Sequence, residues 1–338
     1  MRKIGLLPFT ILYWLITSTR NVLFDIGVLR TLSIPGKSIS VGNLSLGGSG
    51  KTPMIIYLTH LLSKEKSVQI LSRGYGRKTK GFRHVSEVDT PSTVGDEPFD
   101  YYQKFKPEVD IFVCEKRKAA IPRMKSQNGS AVILLDDAFQ HRYVKPGFQL
   151  LLTPFHEQFL DDHHLPSGNL RESKRGASRA DAILLTKCPM LTEEQRLHCL
   201  KRYQEYQKPV FFSQIEYLEF QSKGKQNAQM KAVFLVSGIS STTSLNAYLC
   251  EKYEVQEQKF ADHHAFNKQD IQEIHRKFDT FANKEMAIVT TEKDWVKLQS
   301  LLSESDLQAY PWYVLPITVK IQEEQAFNSM ILNYVRNN

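Results

Sequence analysis

The residues best suited to chemistry lie in a glycine-rich segment, residues 41–52, which ends in a lysine and a threonine. A short apolar run precedes this segment, and a pattern typical of a helix follows it over residues 53–62. Glycines let the backbone turn so that its N–H groups face a phosphate, and the start of a helix adds the positive end of its dipole. Lys51 can reach the β- and γ-phosphates, and the Thr52 hydroxyl can ligate Mg²⁺. The segment therefore predicts a site for a nucleoside triphosphate.

The segment departs from the strict phosphate-loop pattern G-x-x-x-x-G-K-[ST], because Ser45 stands where the first glycine is expected. Additional glycines within the segment supply the flexibility that Ser45 lacks. A glycine-rich turn with a chance Lys-Thr pair is the alternative, and the position directly after an apolar run argues against it. The residues that we expect to bind the nucleotide are Ser45, Leu46, Gly47, Gly48, Ser49, Gly50, Lys51 and Thr52.

Two adjacent aspartates, Asp136 and Asp137, follow the apolar run 131–135. Because the carboxyl ends of parallel strands meet at one edge of a sheet, these aspartates are expected beside the phosphate loop. Either one can hold Mg²⁺ directly or through water, and the sequence does not decide between them. The alternative, a pair of acids that caps the turn after a strand, would be credible without a phosphate loop nearby. Together the two features predict nucleoside triphosphate chemistry and leave the acceptor open.

The elements that must position these residues are short apolar runs that alternate with helical stretches through residues 38–213. Such alternation favours an α/β fold of the P-loop NTPase type, in which helices cover both faces of a mostly parallel sheet. The polar stretch 219–231 predicts a boundary, and strands flanking a helix beyond it predict a smaller α/β domain. We therefore expect an N-terminal segment over 1–30, a core domain over 31–222 and a smaller domain over 223–338.

The composition is that of a globular chain: 338 residues, 41% hydrophobic and 24% charged, with a formal net charge of +8. It excludes a disordered tail, a collagen-like fibre and a protein with many membrane spans. The basic balance suits a phosphate-bearing partner, an anionic membrane face or a nucleic acid. None of the four cysteines forms a C-x-x-C pair, which favours a reducing, cytoplasmic setting over a disulfide framework or a zinc ribbon.

The N-terminus carries Arg2 and Lys3 before an apolar run over residues 4–16. As a helix, this run would be about 20 Å long, which is shorter than the ~30 Å hydrocarbon core of a bilayer. Polar residues at 17–21 interrupt it, and no signal-peptide cleavage site is evident. The basic flank and the aromatic pair Tyr13-Trp14 favour a helix that lies on a membrane surface, with a helix packed on its own domain as the alternative.

A series of motifs resembles the tetraacyldisaccharide 4'-kinase family, the lipid A 4'-kinases of Gram-negative bacteria. The resemblance covers nearly the whole chain and rests on the order of the motifs, since each one alone is weak. Two small departures, at Ala138-Phe139 and at Asn169, affect only local loop shape. The motifs are Gly42-Asn43, the phosphate loop with Pro53, Ser72-Arg73-Gly74-Tyr75-Gly76, Gly95-Asp96-Glu97-Pro98, Asp136-Asp137-Ala138-Phe139-Gln140-His141-Arg142, Leu165-Pro166-Ser167-Gly168-Asn169-Leu170-Arg171-Glu172, Asp262-His263-His264 and Thr291-Glu292-Lys293-Asp294.

Membership would imply transfer of the ATP γ-phosphate to the 4'-hydroxyl of a tetraacylated glucosamine disaccharide 1-phosphate, which gives lipid IVA. The implied cofactors are ATP and Mg²⁺. The implied setting is peripheral or monotopic, on the cytoplasmic face of the inner membrane, where this lipid lies. Neither a nucleic acid nor an obligate protein partner is expected.

The resemblance also supports a catalytic pair, in which Asp96 accepts the proton of the sugar hydroxyl and His263 from the smaller domain assists it. A helix cap with acids in the first turn is the alternative for Asp96-Glu97, and it is compatible with catalysis. The smaller domain would close over the site and exclude water. The residues expected to contact the acceptor or its phosphate are Arg73, Tyr75, Gln140, His141, Arg171, Glu172 and Lys293.

Three other functions are weighed against this one. The two Asp-His-His strings suggest a transition-metal site, but adjacent histidines in an extended segment point to opposite faces. Residues 186–189, Thr-Lys-Cys-Pro, begin like the [NT]-K-x-D string of guanine-specific switch proteins but carry proline where the aspartate belongs. A kinase or ATPase acting on nucleic acid would fit the charge, yet no RNA-binding module or recognition helix is apparent.

Overall fold

The computed structural model describes residues 5–227, 229–262, 264–281 and 285–337. The chain forms two compact units, residues 1–215 together with 319–338, and residues 216–318. The helices are α1 (Leu7–Asp25), α2 (Lys51–Leu62), α3 (Pro91–Val94), α4 (Asp96–Phe105), α5 (Arg117–Gln127), α6 (Glu193–Tyr203), α7 (Thr243–Cys250), α8 (Lys268–Asp279), α9 (Glu292–Leu298), α10 (Glu304–Ala309) and α11 (Glu324–Arg336). The strands are β1 (Leu32–Ser33), β2 (Ser38–Asn43), β3 (Val68–Ser72), β4 (Arg83–His84), β5 (Asp110–Val113), β6 (Val132–Asp136), β7 (Val144–Lys145), β8 (Phe148–Pro154), β9 (Ala182–Thr186), β10 (Val210–Tyr217), β11 (Gln221–Ser222), β12 (Ala232–Ser237), β13 (Glu254–Lys259), β14 (Met286–Thr291), β15 (Trp312–Leu315) and β16 (Ile317–Ile321).

The first unit is built on a nine-stranded sheet with the order β16-β10-β9-β8-β2-β6-β3-β5-β4. The strands from β10 to β5 in this order run parallel, and β4 pairs antiparallel with β5. Every residue of β2, β3, β6 and β9 is buried, as expected for strands covered by helices on both faces. The α/β fold with a mostly parallel sheet is thereby confirmed. Its loops after β2, β3, β6 and β9 share one edge, where the site is formed.

Helix α1 is longer than the apolar run at the N-terminus suggests, since it continues through the polar residues 17–21 to Asp25. Polar side chains in this part of the helix form hydrogen bonds. The Thr17 hydroxyl donates to the Tyr13 carbonyl oxygen at 2.9 Å, and Asn21 Nδ2 donates to Glu172 Oε2 at 2.8 Å. Within the described part of the chain, no helix is both long enough and apolar enough to cross a membrane.

The boundary between the units differs from the predicted one at 222/223. Residues 216–222 belong to the second unit, and residues 319–338 return to the first. The reason is pairing and packing far along the sequence: β16 adds to β10 at the sheet edge, and α11 packs on the first unit. Tyr57 donates its hydroxyl hydrogen to Asn328 Oδ1 at 2.8 Å, and Tyr334 donates to the Ser38 carbonyl oxygen at 3.0 Å.

The second unit is a smaller α/β arrangement with a five-stranded sheet in the order β11-β15-β14-β12-β13. The strands β13, β12, β14 and β15 run parallel, and β11 is antiparallel to β15. Helix α8 begins at an Asn267 cap whose side chain accepts hydrogen bonds from the first-turn N–H groups. The predicted strands around 232–237 and 287–291, and the helix between them, are present.

Candidate active site

The predicted phosphate loop joins the buried strand β2 to helix α2, which begins at Lys51. Gly47 has φ +111° and Gly50 has φ +82°, values that glycine adopts readily and other residues rarely do. The loop is fastened from outside by backbone hydrogen bonds, in which the Leu46 N–H donates to the Asn169 carbonyl oxygen and the Arg171 N–H donates to that of Leu44, both at 2.8 Å. The loop is therefore preorganised ahead of a helix N-terminus, as phosphate binding requires.

Two serine hydroxyls of this loop, Ser45 Oγ and Ser49 Oγ, are buried and have no hydrogen-bond partner among the described residues. Ser45, which replaces the first glycine of the phosphate-loop pattern, also forms a β-bridge with Leu170. A buried hydroxyl without a partner is costly in a resting protein, so these groups are suited to a ligand with many acceptor oxygens.

Lys51 and Thr52 lie at the start of α2, where both can act on a bound triphosphate. Lys51 Nζ is 3.9 Å from Asp137 Oδ2. The Thr52 hydroxyl donates to Glu97 Oε1 at 3.2 Å. This hydrogen bond places the first turn of α4 beside the phosphate loop. Glu97 was not singled out from the sequence, although its position next to Asp96 was the available signal.

The two strand-end aspartates have different surroundings. Asp136, at the end of β6, is buried; its Oδ2 accepts from the Ser72 hydroxyl at 3.1 Å, and its Oδ1 has no partner among the described residues. Burial, reinforced by the charges of Glu97 and Asp137, raises the pKa of Asp136 to about 7. The buried carboxyl thus has a free oxygen and an unfavourable charge, which a divalent cation would offset.

Asp137 is held by cations instead. Its two oxygens accept from the Arg171 guanidinium, Nη1 to Oδ2 at 3.1 Å and Nη2 to Oδ1 at 2.9 Å. Burial opposes ionisation of this carboxyl, but the charges of Lys51 and Arg171 outweigh it and keep the pKa of Asp137 below its usual value. Its backbone φ of +44° lies in the left-handed region, which few residues with a side chain adopt but which aspartate tolerates better than most.

These residues fit a magnesium ion. Thr52 Oγ1, Glu97 Oε1 and the unpartnered Asp136 Oδ1 are oxygen donors of the kind that Mg²⁺ prefers. Asp137 is already engaged by two cationic side chains. Of the two predicted aspartates, Asp136 therefore has the oxygen available for the metal. Within the described ranges, no group of three or more His, Cys, Asp or Glu side chains is placed to hold a metal ion by itself.

Asp96 is the first residue of α4, and Gly95 is its N-cap. Gly95 has no side chain with which to cap the helix, but Asp96 and Glu97 are acids in its first turn, as the capping alternative expects, and this placement is compatible with catalysis. Gly95 has φ +97°, and a Cβ at this position would come within 3.1 Å of Gly74 and 3.0 Å of the Tyr75 carbonyl oxygen. The glycines let the 72–77 loop pack directly against the start of α4.

That loop presents Arg73 and Tyr75, which are both exposed, Tyr75 by 72%. The neighbouring Arg77 is instead tied to Glu115 at 2.5 Å. His141 is half-buried, and burial followed by the charges of nearby arginines lowers its pKa to about 4. Because Arg73 and Tyr75 are exposed, they are suited to contacting an acceptor.

Gln140 and Glu172 are committed to contacts within the first unit. Gln140 Nε2 donates to the Asn43 carbonyl oxygen at 2.7 Å and to Glu172 Oε1 at 3.0 Å. Glu172, which is buried, also accepts from Asn21 of α1 and from Arg179 Nη2, both at 2.8 Å. These contacts tie α1 to the segments that carry the two residues, and the contacts of Gln140 and Glu172 with the acceptor stay a prediction.

His263 lies outside the described residues, so its predicted pairing with Asp96 stays a prediction. The residues beside it in the second unit are described. Asp262 Oδ1 accepts from Lys293 Nζ at 3.0 Å, and His264 Nε2 lies 2.9 Å from Asp270 Oδ2. Of the two neighbouring histidines, His264 is thus engaged by the first turn of α8.

A lysine and a threonine in a glycine loop, with a buried strand-end acid beside them, define a P-loop nucleotide-binding protein that works with a metal ion. The model of the family described as tetraacyldisaccharide-1-P 4'-kinase matches residues 2–336. The chain belongs to this family, and it is accordingly an ATP-dependent 4'-kinase.

Individual relatives agree with the family assignment. The chain is 43% identical to the tetraacyldisaccharide 4'-kinase of Flavobacterium johnsoniae over 348 residues, which cover 100% of this chain and 98% of the relative. It is 41% identical to that of Flavobacterium psychrophilum over 341 residues, covering 98% and 96%. The LpxK of Aquifex aeolicus, crystallised in complex with ATP, is 30% identical with a TM-score of 0.75, over 99% of this chain and 100% of that one.

Proposed function

We propose that this kinase of lipid A biosynthesis transfers the γ-phosphate of ATP to the 4'-hydroxyl of a tetraacylated glucosamine disaccharide 1-phosphate, with Asp96 as the base. The observation that carries the assignment of Asp96 is the hydrogen bond from Thr52 to Glu97. It brings the start of α4 to the phosphate loop, and Asp96 is the residue next to Glu97 in the same turn. A carboxylate there is well placed to accept a proton from a hydroxyl that attacks the γ-phosphate.

The residues of the first unit divide the work as follows. The loop 45–52 holds the triphosphate, and Lys51 neutralises charge on its outer phosphates. Thr52, Asp136 and Glu97 would hold Mg²⁺, which when bound offsets the charge of the phosphate oxygens. The new bond joins the 4'-oxygen to the γ-phosphorus, the bond from γ-phosphorus to the β,γ-bridging oxygen breaks, and the proton of the hydroxyl passes to Asp96, leaving ADP.

The acceptor side of the proposal uses groups that the fold leaves accessible. Arg73 offers a cation for a phosphate of the lipid, and Tyr75 offers a ring that can pack against a sugar. Arg171 keeps Asp137 in place beside Lys51. In the second unit, we assign assistance in proton transfer to His263 and a contact with the closed site to Lys293.

We also propose that α1 rests on the cytoplasmic face of the inner membrane, peripherally or monotopically. Eight large apolar side chains of this helix are more than two-fifths exposed: Leu7, Phe9, Ile11, Leu12, Trp14, Leu15, Ile16 and Val22. Polar groups of the same helix face the rest of the first unit. The Tyr13 hydroxyl donates to the Arg171 carbonyl oxygen, and the Arg20 guanidinium donates to the Gln140 carbonyl oxygen, both at 3.0 Å. An exposed apolar surface on a docked helix of a chain with net charge +8 suits an anionic lipid surface.

The test is transfer of labelled γ-phosphate from ATP to a tetraacyl disaccharide 1-phosphate in detergent micelles. Lys51→Ala and Asp96→Asn are compared with Asp100→Asn, a matched change one turn along the same helix. We expect labelled lipid from the wild type and from Asp100→Asn, and a loss of about 10²–10⁴ in rate for Asp96→Asn. ATP turnover that labels no lipid would contradict the proposed acceptor, and full activity of Asp96→Asn would contradict the proposed base.

A further inference from the structure

Two neighbouring polar residues of α1 are bonded to the segments that surround the phosphate loop, and the membrane contact proposed above makes no use of them. Arg20 Nη2 donates to the Gln140 carbonyl oxygen at 3.0 Å. Asn21 Nδ2 donates to Glu172 Oε2 at 2.8 Å. Both residues are partly buried, in contrast to the exposed apolar side chains of the same helix. The polar side of α1 therefore has a role of its own within the first unit.

The contact of Asn21 falls on a buried charge. Glu172 is 2% exposed, and its two carboxylate oxygens have different donors. Oε1 accepts from Gln140 Nε2 at 3.0 Å and from Arg179 Nη2 at 2.8 Å, whereas Oε2 accepts from Asn21. A buried carboxylate is stable only while its oxygens are hydrogen-bonded, so without the Asn21 amide it would turn toward other donors. Asn21 thus fixes the orientation of this carboxylate.

Gln140 carries the constraint to the entrance of the phosphate loop. The Nε2 group that donates to Glu172 also donates, at 2.7 Å, to the carbonyl oxygen of Asn43, the last residue of β2. A second side chain, Arg171, donates from Nη2 to the same carbonyl oxygen at 3.2 Å. The backbone of Arg171 is held in turn by α1, since its carbonyl oxygen accepts from the Tyr13 hydroxyl. Helix α1 is therefore bonded to both residues whose side chains hold this carbonyl.

We propose that α1 is a structural part of the nucleotide site, and that Asn21 is a positioning residue for the phosphate loop that acts through Glu172 and Gln140. Hydrogen bonds in such a chain polarise and strengthen one another, most of all where the chain includes a buried charge. A loop whose entrance is already fixed loses less conformational freedom when it binds phosphates. The inference rests on the proposed binding of ATP by this loop, and it does not require α1 to meet a membrane.

The experiment measures equilibrium binding of ATP with Mg²⁺ to the full chain in detergent micelles that contain no lipid acceptor. Asn21→Ala removes the donor and should weaken ATP binding about tenfold. Asn21→Asp keeps the shape of the side chain but places a carboxylate against Glu172, so its loss should be at least as large. Thr19→Ala, at an exposed position of the same helix, is the matched control and should bind ATP like the wild type.

Two further measurements separate positioning from a general loosening of the fold. If Asn21 acts through Gln140, the double variant Asn21→Ala with Gln140→Ala should bind ATP no more weakly than Gln140→Ala alone. In the lipid phosphorylation assay, Asn21→Ala should raise KM for ATP about tenfold and keep kcat within about twofold, because bound ATP itself orders the loop. A helix that served only as an anchor would change KM for the lipid instead.

The outcomes distinguish this inference from the function on which it rests. Undiminished ATP binding in Asn21→Ala and Asn21→Asp would overturn the inference, as would additive losses in the double variant or a change in KM for the lipid alone. ATP binding that survives Lys51→Ala would instead overturn the phosphate-loop site. Thermal unfolding without ATP identifies a variant that has lost its fold, and the isosteric Asn21→Asp then replaces Asn21→Ala in the comparison.

Discussion

Arg171 binds the Asp137 carboxylate through two parallel hydrogen bonds, at 3.1 and 2.9 Å. Asp137 is therefore held near Lys51 by the guanidinium as well as by its ion pair with Lys51. The geometry needs the planar fork of a guanidinium, since a lysine ammonium would contact the carboxylate as a single point charge. The same arginine donates from Nη2 to the Asn43 carbonyl oxygen at 3.2 Å at the entrance of the phosphate loop. One side chain therefore sets the relative position of the loop and the acid.

We expect Arg171→Lys to lower kcat about 10- to 100-fold, because a carboxylate freed from the fork competes with the ATP phosphates for Lys51. Steady-state kinetics with ATP as the varied substrate measures the change, and KM for ATP should rise with it. Arg175→Ala, an exposed arginine of the same segment, serves as the control. Unchanged kinetics in Arg171→Lys would show that the fork is dispensable.

We predict that, in the absence of metal, the free energy of unfolding depends on pH because of Asp136. Its pKa is about 7 in the folded chain and near 3.8 when unfolded, so the folded state binds the proton more tightly. The folded chain therefore loses stability as the pH rises from about 4 to 7, by about 2–4 kcal/mol. Asp136→Asn has no proton to lose, so denaturant unfolding in EDTA should show its stability relative to the wild type rising over that range. A difference independent of pH would contradict the assignment.

Gly42 predicts a steric effect close to the site. A Cβ on Gly42 would lie 2.6 Å from Phe139 Cβ and 3.1 Å from the Phe139 backbone nitrogen, so Gly42→Ala must displace the loop after Asp136. We expect a loss of about 1–3 kcal/mol in the free energy of unfolding, together with reduced phosphate transfer. Gly129→Ala, where the nearest atom is at an ordinary 3.5 Å, should alter neither quantity appreciably.

We predict that the second unit loses stability in acid because of His275. Trp312 Nε1 donates to His275 Nε2 at 3.1 Å, and the imidazole stacks on Tyr310 with ring centroids 3.7 Å apart. Burial lowers the pKa of His275 despite the opposing charges of Asp306 and Asp279. Protonation is then easier in the unfolded chain, so stability falls as the pH drops below about 6.5.

Unfolding followed by tryptophan fluorescence between pH 8 and 5 measures this dependence on pH. His275→Gln keeps an acceptor for the Trp312 N–H but cannot be protonated there, so it should flatten the acid side of the profile. His198→Gln, on an exposed position of α6, should leave the profile unchanged. An identical slope in the wild type and His275→Gln would refute the assignment.

The sequence predicts the parallel sheet well, because a strand buried on both faces reads as an uninterrupted apolar run. Strands β3 and β9 were expected at 68–71 and 182–185 and are found at Val68–Ser72 and Ala182–Thr186. The extent of α1 was harder to predict, since the side chains that keep its polar end helical have partners more than 100 residues away. The same holds for β16, whose place beside β10 depends on pairing and not on any local pattern.

The site shows the same division between local and non-local information. The loop from Ser45 to Thr52 is contiguous in the chain, so its type follows from the sequence. The different surroundings of Asp136 and Asp137 do not, because they arise from burial, from Ser72 and from Arg171. Two of the three protein donors to Glu172, Asn21 and Gln140, likewise come from distant parts of the chain, so no local pattern could have predicted them.

The return of residues 319–338 to the first unit has a consequence for how the chain folds during synthesis. A ribosome makes the whole of residues 216–318 before it makes β16 and α11, which complete the edge and one face of the first unit. The second unit, whose sheet pairs only strands within 216–318, can form while the first still lacks these elements. During synthesis, the edge of β10 and the surface around Tyr57 therefore stay exposed until β16 and α11 have been made. Chaperones would bind the nascent chain at these two surfaces.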